Sequence, residues 1–192
     1  GDGFGDPGYS ANTCAADICP AVFDPLQADE DGDGTGDACE CELGALELDK
    51  LLASDGTAGD EFGRRMAMDG DTSVIGAAFD DDAGASSGSA YVFVRSGMGW
   101  EEQAKLAPLD PAAGDQFGLG VAISEDTIIV AAPGDDDGGS SSGSAYVFVR
   151  VGATWIQQAK LTALDAATDD LFGSWVAVLG DTAVVGAAGD DD

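Results

Sequence analysis

Apolar residues in this chain come in short runs of six or seven, separated by clusters of glycine, aspartate and serine. Between residues 117 and 161 four such runs follow one another: Leu119–Ser124, Thr127–Ala132, Ser144–Arg150 and Trp155–Leu161. Most are rich in valine, isoleucine, tyrosine or phenylalanine, which suit a pleated, half-buried surface. Tyr146-Val147-Phe148-Val149 is continuously apolar, as a strand covered on both faces would be. No run sustains ten residues of helical period, which argues against a helical solenoid. The links are Glu125-Asp126, a Gly/Asp/Ser loop at 133–143 and Val151-Gly152-Ala153-Thr154. They predict hairpin connections between antiparallel strands.

The pattern repeats at a step of 55 residues without a gap. The step relates Phe62-Gly63, Phe117-Gly118 and Phe172-Gly173, and likewise Lys50-Leu51, Lys105-Leu106 and Lys160-Leu161. It carries Ser89–Arg95 onto Ser144–Arg150, Trp100 onto Trp155, and Asp71-Thr72 onto Asp126-Thr127 and Asp181-Thr182. Aspartate triplets begin at Asp80, Asp135 and Asp190. Four antiparallel strands in a unit of about 40–50 residues are the signature of a β-propeller blade. The expected fold is therefore all-β, a partial propeller over residues 43–192. Strands are predicted for 62–106 and 117–161, with one more at Leu46–Leu51 and two more across Phe172–Gly186. A propeller closes with about four to eight blades, so either the polypeptide continues or other copies supply the missing edges.

Charge narrows the chemistry. Seven Lys+Arg face 37 Asp+Glu, a formal charge of -30 on 192 residues. Such a surface repels nucleic acid and anionic lipid, and it attracts divalent cations. With 44% hydrophobic residues a packed core is still available. Histidine is absent, which removes Ser-His-Asp and Cys-His catalysis and histidine-ligated metals. No run of about 18 apolar residues could span a bilayer.

Residues 1–42 follow a different grammar: few apolar residues, Gly/Asp runs, and all four cysteines, Cys14, Cys19, Cys39 and Cys41. Such a stretch needs crosslinks or metal to hold a shape. The clustered cysteines read as a disulfide framework made in an oxidising compartment, with a four-thiolate zinc site as the competing reading. The boundary falls near Cys41–Gly44. The chain opens at Gly1 without methionine, as a mature or partial chain would.

Asp29, Asp31, Asp33 and Asp37 stand at positions 1, 3, 5 and 9 of a loop with glycine at position 6. Alternate residues of a curled loop point inward, so carboxylates two apart meet on one hard cation. The carbonyl of Thr35 and the carboxylate of Glu40 at position 12 extend the set, and calcium suits it better than magnesium. Pro20 and Pro25 before the loop, with Cys39 and Cys41 after it, argue against the flanking helices of an EF-hand. The string Asp17-Ile18-Cys19-Pro20, Asp24-Pro25-Leu26-Gln27, the loop and Cys39 resembles a thrombospondin type 3 repeat. That resemblance implies calcium wrapped by irregular chain with a disulfide close by. Asp2 and Asp6 look like the tail of a preceding loop of the same kind. Cys19–Cys39 and Cys14–Cys41 are the pairs expected, one of three connectivities that four cysteines allow.

The string Phe117-Gly118, Val121-Ala122, Asp126-Thr127, Val130-Ala131-Ala132-Pro133-Gly134 resembles the FG-GAP repeat of integrin α-subunit propellers. It is closer still to a branch of such repeats in secreted bacterial proteins, which share Ser-Gly-Ser-Ala-Tyr-Val-Phe and Trp-x-x-Gln-Ala-Lys-Leu segments. The integrin pattern places a calcium loop between the FG and the GAP. Here those links are Asp69-Gly70-Asp71, Glu125-Asp126 and Gly180-Asp181, too short for a cage. Acidic residues stand one loop later instead. Asp80 and Asp82, like Asp135 and Asp137, are candidate weak cation ligands beside Gly/Ser segments, or simply solvated acids that keep the surface soluble. Trp100 and Trp155 are expected between blades. Lys50, Lys105 and Lys160 recur with Asp55, Asp110 and Asp165 and are expected in structural ion pairs.

The resemblances imply a non-enzymatic, secreted or cell-surface structural or adhesion protein. It would be stiffened by Ca2+ and present propeller loops to a protein or glycan partner, with neither nucleic-acid binding nor membrane insertion. Two other readings stay open. One is a filament subunit joined head to tail through open strand edges. The other is a glycosidase or lyase using paired carboxylates, for which Glu61, Glu101 and Glu102 are the non-repeated acids.

Overall fold

The computed structural model describes residues 49–97 and 99–191. The loop at 29–40, the partial loop at Asp2 and Asp6, the four cysteines and the thrombospondin-like string therefore lie outside the described residues. No helix occurs among the described residues, and none is long and apolar enough to cross a membrane.

Among the described residues ten strands form three antiparallel sheets. Blade 1 is a meander of β1 (Arg65–Asp69), β2 (Thr72–Ala77), β3 (Ser89–Ser96) and β4 (Gly99–Leu106). Blade 2 repeats it with β5 (Gly120–Ser124), β6 (Thr127–Ala132), β7 (Ser144–Val151) and β8 (Thr154–Leu161). Blade 3 is represented by β9 (Phe172–Leu179) paired with β10 (Thr182–Ala187). The predicted strand at Leu46–Leu51 is not seen over residues 49–51, which take no regular structure.

The hairpin between β5 and β6 closes at Ser124↔Thr127, so the turn is Glu125-Asp126 alone. Blade 1 closes likewise at Asp69↔Thr72 and blade 3 at Leu179↔Thr182. The outer pair of each complete blade carries a register shift, between Val92 and Phe93 and between Val147 and Phe148. A bulge of this kind re-aims side chains on the outer strand.

The core lies between the blades. One face of blade 1 (Val74, Ala90, Val92, Leu106) meets the opposite face of blade 2 (Phe117, Ile123, Ile128, Val130, Tyr146, Phe148, Trp155) in a single buried cluster. Burying such side chains contributes about 1.5–3 kcal/mol each, so the blades hold each other rather than standing alone. A second cluster covers the other face of blade 1, where Leu51, Ala53, Phe62 and Trp100 pack on Ile75, Tyr91 and Phe93. Phe62 and Phe117 stand edge-on to Tyr91 and Tyr146, with ring centroids 5.5 Å apart in both blades.

Candidate functional site

The first and third aspartates of each triplet converge on one lysine. Asp80 and Asp82 lie in the loop after β2, where the Asp82 N–H folds back on Asp80 Oδ1 at 2.9 Å and both carboxylates reach the same ammonium. Lys105 Nζ, at the end of β4, lies 2.9 Å from Asp80 Oδ2, 2.6 Å from Asp82 Oδ2 and 2.7 Å from Asp55 Oδ2. The Tyr91 hydroxyl shares its proton between Asp55 Oδ1 at 2.7 Å and Asp80 Oδ2 at 3.0 Å. Blade 2 repeats the arrangement. Lys160 Nζ lies 2.8, 2.7 and 2.6 Å from Asp110, Asp135 and Asp137, and the Tyr146 hydroxyl donates to Asp135 at 2.9 Å. The middle acids turn away: Asp81 and Asp136 accept the backbone N–H of Ser86 and Ser141, each at 2.7 Å. The ion pairs expected from the recurring lysines and aspartates are present for Lys105 and Lys160, each reaching an aspartate 50 residues earlier, Asp55 and Asp110. An ammonium thus sits among the carboxylates proposed as weak cation ligands, and a divalent ion there would have to displace it.

Each such lysine–aspartate–tyrosine cluster, a pin, perturbs its own ionisation. Burial is the largest influence on Asp80 and favours its neutral form, but the Asp82 N–H, Lys105 and Tyr91 together hold it below its ordinary 3.8. Asp135 behaves likewise through Lys160, the Asp137 N–H and Tyr146. Asp55 is lowered chiefly by its bond to Lys105 and then by Tyr91. Burial works against the charge on Lys105 and Lys160, yet the surrounding carboxylates raise both above their ordinary 10.5. Both tyrosines are raised, first by burial and then by their carboxylate partners.

The Gly/Ser segments after the triplets clamp one blade to the next. The carbonyls of Ala85, Ser86 and Ser87 accept the N–H groups of Gly114, Gln116 and Phe117 at 2.9–3.0 Å. Those of Ser140, Ser141 and Ser142 accept from Asp169, Leu171 and Phe172 at 2.8–3.0 Å. These carbonyl oxygens are thus engaged with the following blade. Here the phenylalanine-glycine pair has its physical meaning. Gly143 takes φ +83°, and a Cβ on it would lie 2.1 Å from Phe172 O. Gly88 makes the same approach to Phe117 O, again at 2.1 Å.

A second repeated acid escaped the sequence reading. Asp60, Asp115 and Asp170 are buried and cap the turn entering each blade, accepting the N–H of Thr57, Ala112 and Ala167 at 2.6–2.7 Å. Recurrence at the 55-residue step, two residues before Phe-Gly, was the available signal. Burial raises the pKa of Asp115, partly offset by the Ala112 N–H, and the nearby charge of Asp135 adds to the rise.

Trp155 is buried against blade 1, its indole N–H donating to Gln103 Oε1 at 2.9 Å, with Arg150 over its ring. Trp100 is half-buried under Arg95. Arg64 pairs with Glu61, and Glu102 accepts both the N–H and the hydroxyl of Ser54 at 2.9 Å. Two of the three non-repeated acids are thus engaged in local contacts, Glu61 with Arg64 and Glu102 with Ser54.

The two-residue turns, where an integrin-type calcium loop would lie, do not fit a cage. Asp71 and Asp126 pair with Arg95 and Arg150 at 3.2 and 3.0 Å, and Asp69 accepts the N–H of Glu125 at 2.5 Å. Among the described residues no three acidic, histidine or cysteine side chains are arranged to hold a metal ion.

Four-strand meanders stacked face to face, each clamped to its successor by a loop, define a protein of the β-propeller class. The family model of the FG-GAP repeat matches residues 46–93, 100–148 and 155–192, most of the chain. The chain belongs to the FG-GAP repeat family. The second and third matches start on the outer strand of one blade, β4 or β8, and run into the inner strands of the next, so sequence repeat and blade are offset by one strand. Among curated proteins none matches the chain.

Proposed function

We propose that this chain is a non-enzymatic, secreted structural or adhesion protein whose propeller loops meet a protein or glycan partner at a cell surface or in a matrix. Membership of a family of interaction propellers supports the reading. The observation that carries it is the internal use of the repeated acids: the pins and the turn caps spend them on holding blades in place. That is the chemistry of a scaffold, in which varying loops can be displayed without changing the frame.

Calcium enters through residues outside the described region. Asp29, Asp31, Asp33, Thr35, Asp37 and Glu40 would hold one ion, with Asp2 and Asp6 the remainder of another loop, beside disulfides Cys19–Cys39 and Cys14–Cys41. The donor set is all oxygen with alternating spacing, which suits calcium. Its test is limited proteolysis of the full chain with calcium and with chelator, cleavage sites read by mass spectrometry. Cleavage within residues 1–42 should accelerate sharply on chelation while residues 49–191 stay resistant. Equal cleavage in both conditions would contradict the calcium reading.

A further inference from the structure

The few cations of this chain are drawn inward and its acids are left outside. Lys105 and Lys160 keep only 24% and 19% of their side-chain surface, while Asp82 and Asp137, their most exposed partners, keep 67% and 66%. At the other end of the strands Arg150 is 21% exposed and its partner Asp126 74%. In each pin three carboxylates face one ammonium, so the pin itself stays negative. Other acids meet no cation. Asp81 and Asp136 are exposed and accept the N–H of Ser86 and Ser141. Glu125 is exposed in its turn, where its N–H is held by another acid, Asp69. Asp81, Asp136 and Glu125 form no ion pair among the described residues.

The repeat turns this excess into a repulsion between blades. It gives neighbouring blades like charges at equivalent places: Asp81 and Asp136, Asp82 and Asp137, Asp71 and Asp126. Stacked sheets lie about 10 Å apart, close to the Debye length of about 10 Å at 0.1 M salt and well inside the roughly 30 Å at 0.01 M. Repulsion across a blade step is therefore felt in dilute salt and screened in concentrated salt. The pins respond much less. Their N–O distances are 2.6–2.9 Å, and Asp80 and Asp135 are buried, so little screening charge comes between the partners. Of the two electrostatic contributions, the unfavourable one is the more sensitive to salt.

We propose that ionic strength controls the stacking of the blades: the array is firm in saline surroundings and loosens as salt is withdrawn. The agent is a diffuse atmosphere of small cations around the acidic ends of the blades, with no ion held at a fixed place. A fold stabilised chiefly by surface ion pairs would show the opposite sign and weaken in salt. The inference stands on the arrangement of charge and does not depend on the adhesion reading above. It makes the frame itself responsive to the salinity around it.

Urea unfolding of the full chain tests it, with a chelator present throughout so that calcium plays no part. Urea is uncharged and adds no screening of its own. Tryptophan fluorescence reads the blades, because Trp100, Trp155 and Trp175 all lie on their strands. The sodium chloride series runs from about 0.01 M to about 1 M, across which the Debye length shrinks from roughly 30 Å to roughly 3 Å. The unfolding midpoint should climb by about 1 M urea over that series. The variant Asp81→Asn/Glu125→Gln/Asp136→Asn keeps the acceptor oxygens and removes their charge. It should start above the unsubstituted chain in dilute salt and converge with it in concentrated salt. A midpoint that falls with salt, or stays level, overturns the proposal. So does a variant that climbs in parallel with the unsubstituted chain, since that marks a general effect of salt on burial and not the screening of these acids.

Discussion

Blade 2 and blade 3 carry the same pattern and meet different fates. Ile129 is fully buried whereas Val184, at the equivalent position of the next repeat, is largely exposed. Gly120 is buried against Val176 and the Gly173 carbonyl, while Trp175 in its place stands in solvent. The difference teaches that burial here belongs to the contact between blades and not to the repeat itself. A hydrophobic run predicts a strand, but only a neighbouring blade turns that strand into core.

Paired substitutions at equivalent positions sharpen the comparison. The largest effect is expected where backbone meets backbone. Gly143→Ala should cost about 3 kcal/mol or more, because the added methyl collides with Phe172 O and the left-handed φ is strained as well. Gly180→Ala, with left-handed φ and open space around it, should cost only about 1 kcal/mol. Chemical denaturation of the two variants checks this, and equal costs would mean the clamp carries little. Next come Ile129→Ala, expected to cost about 2–4 kcal/mol, and Val184→Ala, expected below about 0.5 kcal/mol. Similar values for both would erase the distinction between covered and open blades.

The pins come third. Lys160→Met should cost about 2 kcal/mol, since it leaves the buried Asp135 without its cation, discounted for the exposure of Asp110 and Asp137. Its pH dependence has a definite sign. Asp55, Asp80 and Asp135 are held below 3.8, so their contribution is complete above that pH and is lost as pH falls through their folded values. Asp115 is raised and acts in the opposite sense, becoming easier to protonate in the fold than in the unfolded chain. Lys105 and Lys160 are raised, so their contribution is complete below 10.5 and is lost as pH climbs through their folded values. Thermal melts across pH should therefore show a plateau from about 4 to about 10.5, and the double variant Lys105→Met/Lys160→Met should flatten both flanks. The smallest effect is at Glu125, where φ is +52° and the other two blades have glycine. Glu125→Gly should leave stability unchanged or raise it by up to about 1 kcal/mol.

The fold was largely legible. The predicted Thr127–Ala132 coincides with β6, and Ser144–Arg150 and Trp155–Leu161 differ from β7 and β8 by one residue each. Repetition did that work, since three copies of each signal outweigh the ambiguity of one. Of the strand expected across Leu46–Leu51, residues 46–48 lie outside the described residues and 49–51 take no regular structure, Leu51 packing on blade 1 through its side chain. The site was half legible. Pairing lysine with aspartate followed from common recurrence, but the approach of Asp80 and Asp82 to the same ammonium depends on which strand end lies beside the β2–β3 loop. That is set by the register of the outer strand, which places Lys105 opposite Tyr91 and Lys160 opposite Tyr146. Asp60, Asp115 and Asp170 were missed because in a chain with 37 acids one more aspartate carries little information until its burial is known.

Amide hydrogen exchange on the full chain, at a dilution where copies stay apart, tests the stacking of blades most directly. Buried interblade strands β2, β3, β6 and β7 should exchange slowest and β9 and β10 fastest, although all carry the same repeat. Exchange in β9 and β10 as slow as in β5 and β6 would contradict the account.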